Sequence, residues 1–228
     1  PMYLTSEKSI DVIIELVGGS DGIAKKVVFS ALKNKKHVIT ANKALMAKHG
    51  DQLAYIAEKN NVNLEYEASV AGGVPIIRSI KEGLIANKIS KICGILNGTT
   101  NYILTSMASG GLDFDGALLE AQGLGYAEAD PAIDVDGVDT AHKLAILTSL
   151  AFGCKVDFDA VHVEGIRHIS PLDIEFAEEL EVENKKNFFS AGGKKYIYIK
   201  CLNNNDLHLK MLSSLVQEHT KGWPENKI

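Results

Sequence analysis

The sequence predicts an α/β fold, with an incomplete, doubly wound parallel sheet up to about Tyr66 and an α+β domain up to about Leu180. Three observations predict it. A nearly continuous apolar run bounded by glycines indicates a strand that is buried on both faces. Strand-like and helix-like segments alternate in the first third of the chain, which is typical of parallel sheets. Strand–turn–helix units then follow.

The first elements form a strand–helix–strand–helix series. Ile10 to Val17 predicts the first strand, apolar residues at helical spacing predict the next helix, and HVITANK predicts a second strand. The helix that follows covers ALMAKHGDQLAYIAEKNN, with an expected break at Gly50. Asn42 is a favourable N-cap, so Lys43 falls in the first turn, at the positive end of the helix dipole. Lys43 either meets an anionic ligand or points away, and the residues alone leave these alternatives about even.

The glycines near the start do not form a dinucleotide-binding motif. Such a fold begins with a strand followed by G-x-G-x-x-G, whereas VGGSDG has another spacing. Either the fold does not bind a nucleotide, or the chain begins beyond the motif, and the direct entry into a buried strand favours the second explanation. Gly18 and Gly19 follow a strand end, where parallel sheets bind ligands, although by themselves they fit a simple tight turn better.

The middle of the chain predicts two further strands and a sharp turn. Val62, Leu64 and Tyr66 alternate as in a strand that leads into ASVAGGVP. Carbonyl oxygens of that glycine turn, beside Glu67, suit a hard monovalent cation, but a plain strand-to-helix connection is the simpler interpretation. ISKICGILNGTTNYILTSM then predicts a strand, a polar turn and a helix that is capped by a threonine, Thr99 or Thr100.

The most informative stretch is GLGYAEADPAIDVDGVDTAHK, which places five carboxylates between Glu128 and Asp139. It fails as an EF-hand loop, because Ala132 and Lys143 would occupy the first and twelfth positions. Asp139 and Lys143 lie one turn apart on a helical stripe that then becomes apolar. Stability does not explain a buried ion pair. The pair therefore either serves catalysis, with Lys143 exchanging a proton, or belongs to an ordinary surface helix.

Composition excludes several classes of function. The 228 residues carry a net charge of −5, which does not favour nucleic acid or an anionic membrane surface. No apolar run approaches the length of a membrane span, and no secretory leader is visible. The three cysteines are widely spaced and odd in number, which predicts a reducing, cytoplasmic location and no disulfide frame or zinc site: Cys93, Cys154 and Cys201.

Four blocks carry a resemblance to the homoserine dehydrogenases, from about Ile10 to Leu180. They are ANKALMAKHG, YEASVAGGVPIIRSI, GILNGTTNYIL and GLGYAEADPAIDVDGVDTAHK. The resemblance implies reversible NAD- or NADP-dependent hydride transfer between L-homoserine and L-aspartate 4-semialdehyde, in the biosynthesis of threonine, methionine and isoleucine. It also implies a homodimer. A different semialdehyde dehydrogenase is a weaker alternative, because no cysteine has a motif that would supply a base for a catalytic thiol.

The same resemblance implies roles for particular residues. Lys143 corresponds to the proton donor to the carbonyl oxygen, and Asp139 to the residue that orients both the substrate and that lysine. Glu128 corresponds to a contact of the substrate amino group and Asp134 to a second carboxylate of the pocket, while Lys43 corresponds to a lysine near both nicotinamide and substrate. The glycines near the cofactor are Gly18, Gly19 and Gly125. A sodium site corresponds to backbone oxygens of Glu67, Val70, Gly72 and Val74.

The resemblance also predicts the domain boundaries. Residues 1–66 form a partial NAD(P)-binding domain of Rossmann type, residues 67–181 the catalytic and dimerisation domain, and residues 182–228 a divergent tail rich in Lys and Asn. Neither the family's glycine-rich cofactor loop nor its later glycine-rich return segment is recognisable. The alternative function is therefore that of a truncated, non-catalytic fragment that retains only the substrate and dimerisation domain.

Overall fold

A computed structural model describes residues 1–174 and Ser190. Residues 1–174 belong to one compact unit, Pro1–Phe176. The predicted tail, residues 182–228, lies outside the described residues except for Ser190, and the three predicted domain boundaries stay predictions. Among the described residues, no helix is both long enough and apolar enough to cross a bilayer.

The amino-terminal part is a parallel three-stranded sheet, which confirms the α/β fold class. The strands β1 (Val12–Glu15), β2 (His37–Thr40) and β3 (Leu64–Glu65) lie side by side in chain order. They are joined by two helices, α1 (Ile23–Lys33) and α2 (Lys43–Asn60). Neighbouring parallel strands require a long crossover connection, and each of these helices is long enough and has an apolar stripe to pack against the sheet.

Only one face of the sheet is covered by described residues. Ile13 and Val38 are buried beneath the helices, whereas Ile14 on the other face is 63% exposed. The prediction that the first strand is buried on both faces was therefore wrong for this part of the chain. Near-continuous apolarity identifies a parallel strand correctly, but whether both faces are covered depends on distant segments.

Helix α2 begins as predicted but does not break at Gly50. The Asn42 Oδ1 accepts the Leu45 N–H at 3.0 Å, which confirms the N-cap. The helix continues through Gly50, where a Cβ atom would lie 3.4 Å from Val156 Cγ2 and 3.5 Å from Met46 Cε. These are ordinary van der Waals distances, and the rest of the helix offsets the low helix propensity of Gly50.

The region after β3 is less regular than predicted. It contains a 3₁₀ turn (Glu67–Ser69), then α3 (Ile76–Arg78), which runs on into a π turn (Ser79–Gly83). The strand predicted within ISKICGILN is not formed, since residues 88–97 have no regular secondary structure. A strand needs a hydrogen-bonding neighbour, and no described strand lies beside this segment, in which Ile95 is 62% exposed.

The remaining described elements are helices. They are α4 (Gly98–Gly110), α5 (Phe114–Gly123), α6 (Ala132–Val135) and α7 (Val138–Phe152). The predicted helices α4 and α7 are confirmed, but the cap of α4 is Asn97, whose Oδ1 accepts the Thr100 N–H at 2.8 Å, and not Thr99 or Thr100.

Two apolar cores meet at α7. The larger core lies between the sheet and helices α1, α2 and α7, to which α7 contributes Ala145, Ile146 and Leu147. The smaller core joins helices α4, α5 and α6, and its buried residues are Ile103, Met107, Ala117, Ala121, Ala127 and Val135. The amino-terminal turn of α7 follows α6 directly, so this turn lies where the two packed regions adjoin.

Candidate active site

Asp139 is the centre of a buried charge cluster. It lies in the first turn of α7, where the helix dipole favours a carboxylate. Its side chain is only 3% exposed. One carboxylate oxygen, Oδ1, lies 2.6 Å from Lys43 Nζ, and the other, Oδ2, lies 2.5 Å from Lys143 Nζ. Three of the predicted site residues, from helices α2 and α7, therefore meet in one place.

Asn97 completes the cluster, and sequence reasoning missed it. Its side-chain nitrogen Nδ2 donates to Asp139 Oδ2 at 2.9 Å and to Asp134 Oδ1 at 2.7 Å. Asn97 brings the predicted carboxylate Asp134 into the same network. An Asn that directly precedes a predicted helix is a recognisable capping signal, and that signal could have identified the residue.

The surroundings of Asp139 keep it ionised. Burial acts to raise its pKa, but hydrogen bonds from Lys143, Lys43 and Asn97 prevail, so the pKa of Asp139 lies below its usual value. Lys143 also donates to the carbonyl oxygen of Leu96 at 2.6 Å. A lysine ammonium has three N–H donors. Among the described residues, two of those on Lys143 are used, which leaves one for a ligand oxygen.

His142 packs beside the cluster on the α2 side of α7. Its ring stacks on that of Phe158, with centroids 4.5 Å apart and an interplanar angle of 26°. Burial lowers the pKa of His142, and the positive charges of Lys48 and Lys43 lower it further against the opposing effect of Asp139. The imidazole is therefore neutral at neutral pH and adds no third positive charge beside the two lysines.

A second buried carboxylate, Glu15, shapes the turn after β1. Its Oε1 accepts the N–H groups of Val17 at 2.7 Å and Gly18 at 3.0 Å, and its Oε2 accepts the Thr40 hydroxyl at 2.7 Å. Glu15 is 2% exposed. Gly18 and Gly19 have φ of +84° and +80°, a region that favours glycine. Sequence reasoning missed Glu15, although a carboxylate within an apolar strand was the available signal.

The same network connects this turn to the start of α2. Asn42 Nδ2 donates to the Gly19 carbonyl oxygen at 2.7 Å, and the Asn42 backbone N–H donates to Thr40 Oγ1 at 3.0 Å. Lys43 follows Asn42 directly. The predicted cofactor glycines at positions 18 and 19 are thus fixed, through hydrogen bonds, to the helix end that carries Lys43 into the charge cluster.

Glu128 and Gly125 lie on an exposed loop between α5 and α6. The Thr99 hydroxyl donates to the Tyr126 carbonyl oxygen at 2.7 Å, which holds this loop against the first turn of α4. Gly125 has a φ of +76°. In the described residues, the Glu128 carboxylate accepts no hydrogen bond from Lys43, Asn97 or Lys143. The substrate contact of Glu128 and the cofactor contact of Gly125 therefore stay predictions.

The glycine turn after β3 has a structural carboxylate. Glu67 accepts the backbone N–H groups of Ile77 at 2.9 Å and Arg78 at 2.8 Å, and so caps α3. The Val74 carbonyl oxygen accepts from the Ile76 N–H at 2.8 Å. No group of three or more His, Cys, Asp or Glu side chains in the described residues is arranged for a metal ion. A cation at this turn would therefore depend on backbone oxygens.

Comparison with known families agrees with this geometry. The family model for homoserine dehydrogenase matches residues 75–207, and the model for the homoserine dehydrogenase NAD-binding domain matches residues 2–67. The chain belongs to the homoserine dehydrogenase family. The match confirms the predicted resemblance. The match over residues 75–207 extends beyond the predicted limit near Leu180, into the segment for which no counterpart was predicted.

Curated relatives match this chain closely over part of their length. The homoserine dehydrogenase of Neisseria gonorrhoeae is 50% identical over 180 residues, which is 79% of this chain and 41% of the relative. That of Pseudomonas aeruginosa is 50% identical over 171 residues, or 75% of this chain and 39% of the relative. The chain therefore spans about 40% of the length of these relatives.

Solved homoserine dehydrogenase structures have the same fold. That from Thiobacillus denitrificans is 48% identical with a TM-score of 0.73, over 75% of this chain and 39% of the other. A hyperthermophilic archaeal homoserine dehydrogenase mutant in complex with NADPH is 31% identical with a TM-score of 0.70, over 77% and 53%. The sheet region of this chain corresponds to the NAD-binding domain of the family, whose model matches residues 2–67.

Proposed function

We propose that the protein catalyses the reversible, NAD- or NADP-dependent interconversion of L-homoserine and L-aspartate 4-semialdehyde, on the route to threonine, methionine and isoleucine. The carrying observation is Asp139, buried and held between Lys43 and Lys143 in a chain of this family. A buried ion pair is weak evidence for stability. Its hydrogen-bonded connection, through Asn42, to the turn at Gly18 and Gly19 therefore favours a catalytic role.

Lys143 has the geometry of a proton donor and acceptor. When the carbonyl oxygen of the semialdehyde becomes a hydroxyl it must gain a proton, and the third N–H of Lys143 is available to supply it. In the opposite direction the lysine takes the proton back. Asp139 and the Leu96 carbonyl oxygen hold the ammonium in place through the other two N–H groups. The bound nicotinamide would supply or accept the hydride.

The carboxylates account for recognition of an amino acid. The substrate carries an ammonium group, and Asp134 lies in the cluster with only its Oδ1 engaged by Asn97. In the described residues, no lysine or arginine pairs with Asp134. We therefore assign the substrate amino group to Asp134, and to Glu128 if its exposed loop closes over the ligand. Lys43 is 39% exposed and provides a positive charge at the open side of the cluster.

The residues present fit part of a nicotinamide cofactor. At Gly18 a Cβ atom would meet nothing within 4 Å, so the turn leaves open space for a ligand to approach the backbone. This turn lies at the carboxyl end of β1, where open parallel sheets bind ligands. Lys43, Gly18, Gly19 and Gly125 are the residues proposed to contact it.

Three further parts of the proposal rest on the family resemblance. A sodium ion is proposed at the carbonyl oxygens of Glu67, Val70, Gly72 and Val74, where each oxygen retains a lone pair for a cation. A homodimer is supported by exposed apolar residues such as Ile85, which is 78% exposed, and Ile95. A cytoplasmic location is consistent with free cysteines at positions 93 and 154.

Turnover of L-homoserine by the 228-residue chain tests the proposal. NADP reduction is followed over a range of cofactor concentrations, with D-homoserine as the matched control substrate, and L-homoserine binding is measured by calorimetry. Reduction that depends on L-homoserine supports the proposal. Binding of L-homoserine without reduction would favour the alternative of a non-catalytic fragment, and the absence of both would refute the proposed substrate.

A further inference from the structure

Among the described residues, Asn97 is the one neutral side chain that joins the two carboxylates of the cluster, Asp134 and Asp139. We propose that Asn97 is a positioning residue of the active site: its single amide group holds Asp134 and Asp139 at a fixed separation and thereby aligns Lys143. The inference rests on the proposed function, because it assigns to Asn97 the geometry in which Lys143 exchanges its proton and Asp134 receives an ammonium group.

Hydrogen bonds at both ends of the amide determine its orientation. The Oδ1 atom accepts the Thr100 N–H at 2.8 Å and the Thr100 hydroxyl at 2.9 Å. The Nδ2 atom donates to Asp134 and Asp139. A reversed amide would place an acceptor against two carboxylates and a donor against an N–H group. Only one orientation satisfies every group, so a residue that is 94% buried is held without rotational freedom.

A neutral donor has a specific electrostatic advantage here. A lysine or arginine at this position would compete with Lys143 for Asp139 and would neutralise Asp134. The amide instead bridges two like charges, which would otherwise repel each other in a buried setting, and adds no charge. Asp139 is compensated by Lys43 and Lys143, so the charge of Asp134 remains available for a cationic ligand group.

The backbone next to Asn97 holds Lys143 as well. The Leu96 carbonyl oxygen accepts a hydrogen bond from Lys143 Nζ, and the next residue, Asn97, caps α4. A change in the Asn97 side chain therefore disturbs the carboxylate partner of Lys143 directly and its carbonyl partner through the adjoining peptide. Misplacement of a reacting group by about 1 Å can cost roughly 10²-fold in rate.

Two substitutions separate positioning from helix capping. Asn97→Ser retains a capping oxygen but removes both amide donors, and Asn97→Asp retains the cap and the size but presents an acceptor to the carboxylates. The matched control is Asp113→Ser. Asp113 caps α5 by accepting the Gly116 N–H at 2.8 Å, away from the cluster, so this variant makes the same kind of cap replacement.

The first measurement is steady-state kinetics of the 228-residue chain with L-homoserine. We expect Asn97→Ser to lower kcat by about 10-fold or more and to raise KM, with Asn97→Asp more impaired, while Asp113→Ser stays within about twofold of the parent. Asn97→Asp keeps the test valid if Asn97→Ser does not fold. Folded Asn97 variants with kcat and KM equal to those of Asp113→Ser would overturn the proposal.

The second measurement does not need turnover. The pKa of Asp139 is followed by NMR of aspartate carboxyl carbons, with the signal assigned through Asp139→Asn. Loss of the Asn97 donor should raise this pKa in Asn97→Ser and leave it unchanged in Asp113→Ser. If Asn97→Ser raises the pKa of Asp139 but the parent chain shows no turnover, the positioning role is sustained and the proposed function is refuted. An unchanged pKa would refute the positioning role.

Discussion

The starts of helices α2 and α4 form an instructive pair. Each is capped by an asparagine that is 6% exposed, Asn42 in the sheet region and Asn97 in the helical region. Both side-chain oxygens accept a backbone N–H in the first turn. The amide nitrogens differ: that of Asn42 donates to the Gly19 carbonyl oxygen, and that of Asn97 donates to two carboxylates.

The difference shows that one local signal can serve two functions. In the sheet region the cap fixes a backbone turn, at which we propose a cofactor contact. In the helical region the cap fixes charged side chains, for which we propose a role in proton exchange. The two regions meet at Asp139. Lys43, on the helix that Asn42 caps, pairs with Asp139, and Asn97 joins Asp139 to Asp134 in the helical region.

The largest expected effect is on cofactor affinity in the sheet region. No G-x-G-x-x-G motif is present in the 228 residues, and the N–H groups of Val17 and Gly18 already donate to Glu15. We expect NADPH to bind this chain with a dissociation constant near millimolar or weaker, about 10³-fold above the micromolar range. Calorimetric titration measures the dissociation constant, and a micromolar value would contradict the prediction.

Substitution of Lys143 tests the charge cluster in the helical region. In the 228-residue chain, Lys143→Ala should lower turnover of L-homoserine by about 10²-fold or more, as expected for loss of a general acid or base. The exposed Lys155→Ala is the matched control. Turnover in Lys143→Ala equal to that in the control would remove Lys143 from the proposed role.

Substitution of Asp139 affects both regions at once. Asp139→Asn should lower turnover and reduce the free energy of unfolding at neutral pH by about 2–3 kcal/mol, because two lysines lose their carboxylate, although both remain partly solvated. Since the pKa of Asp139 is depressed in the folded state, its contribution is present above 3.8 and is lost as pH falls through the folded pKa.

Urea unfolding of the parent chain and of Asp139→Asn, carried out across that pH range, measures the effect. The difference in stability between the two proteins should narrow in acid. A constant difference at all pH values would show that packing, and not charge, is responsible. A variant with the parent's turnover would instead make the pair structural.

Substitution of Asn42 sharpens the comparison between the caps. Asn42→Ala should reduce the free energy of unfolding by about 1–2 kcal/mol, because it removes a cap and the donor to Gly19. Asn42→Ser should recover part of the loss by restoring the cap alone. Asp113→Ala, at a cap that supports no second contact in the described residues, should cost about 1 kcal/mol. Equal losses for Asn42→Ala and Asp113→Ala would show that the contact with Gly19 contributes nothing.

The smallest expected effect concerns His142. Its pKa is depressed in the folded state, so its contribution to stability is complete above 6.5 and is lost as pH falls through the folded pKa. The unfolding free energy of the parent should therefore decline more on acidification below 6.5 than that of His142→Gln. The exposed His162→Gln serves as the control, and identical pH profiles for all three proteins would contradict the prediction.

The sequence by itself determined the features that depend on near neighbours. Helix α7 follows from its composition and periodicity, the cap at Asn42 from the residue before an apolar helix, and the pairing of Asp139 with Lys143 from a spacing of one turn. Such features involve atoms within four residues of each other, so their energetics are local. The same stretches also carried the resemblance to the homoserine dehydrogenases.

The tertiary structure alone decided what those elements face. Asn97 meets Asp139 across 42 residues and Thr40 meets Glu15 across 25, and no local pattern specifies either contact. Burial and strand pairing also depend on distant partners. For that reason the sequence did not reveal that the sheet face at Ile14 is uncovered or that segment 88–97 forms no strand. Packing of α7 against α2 places Asp139 between two lysines, and that placement makes a helix with one ion pair a candidate active site.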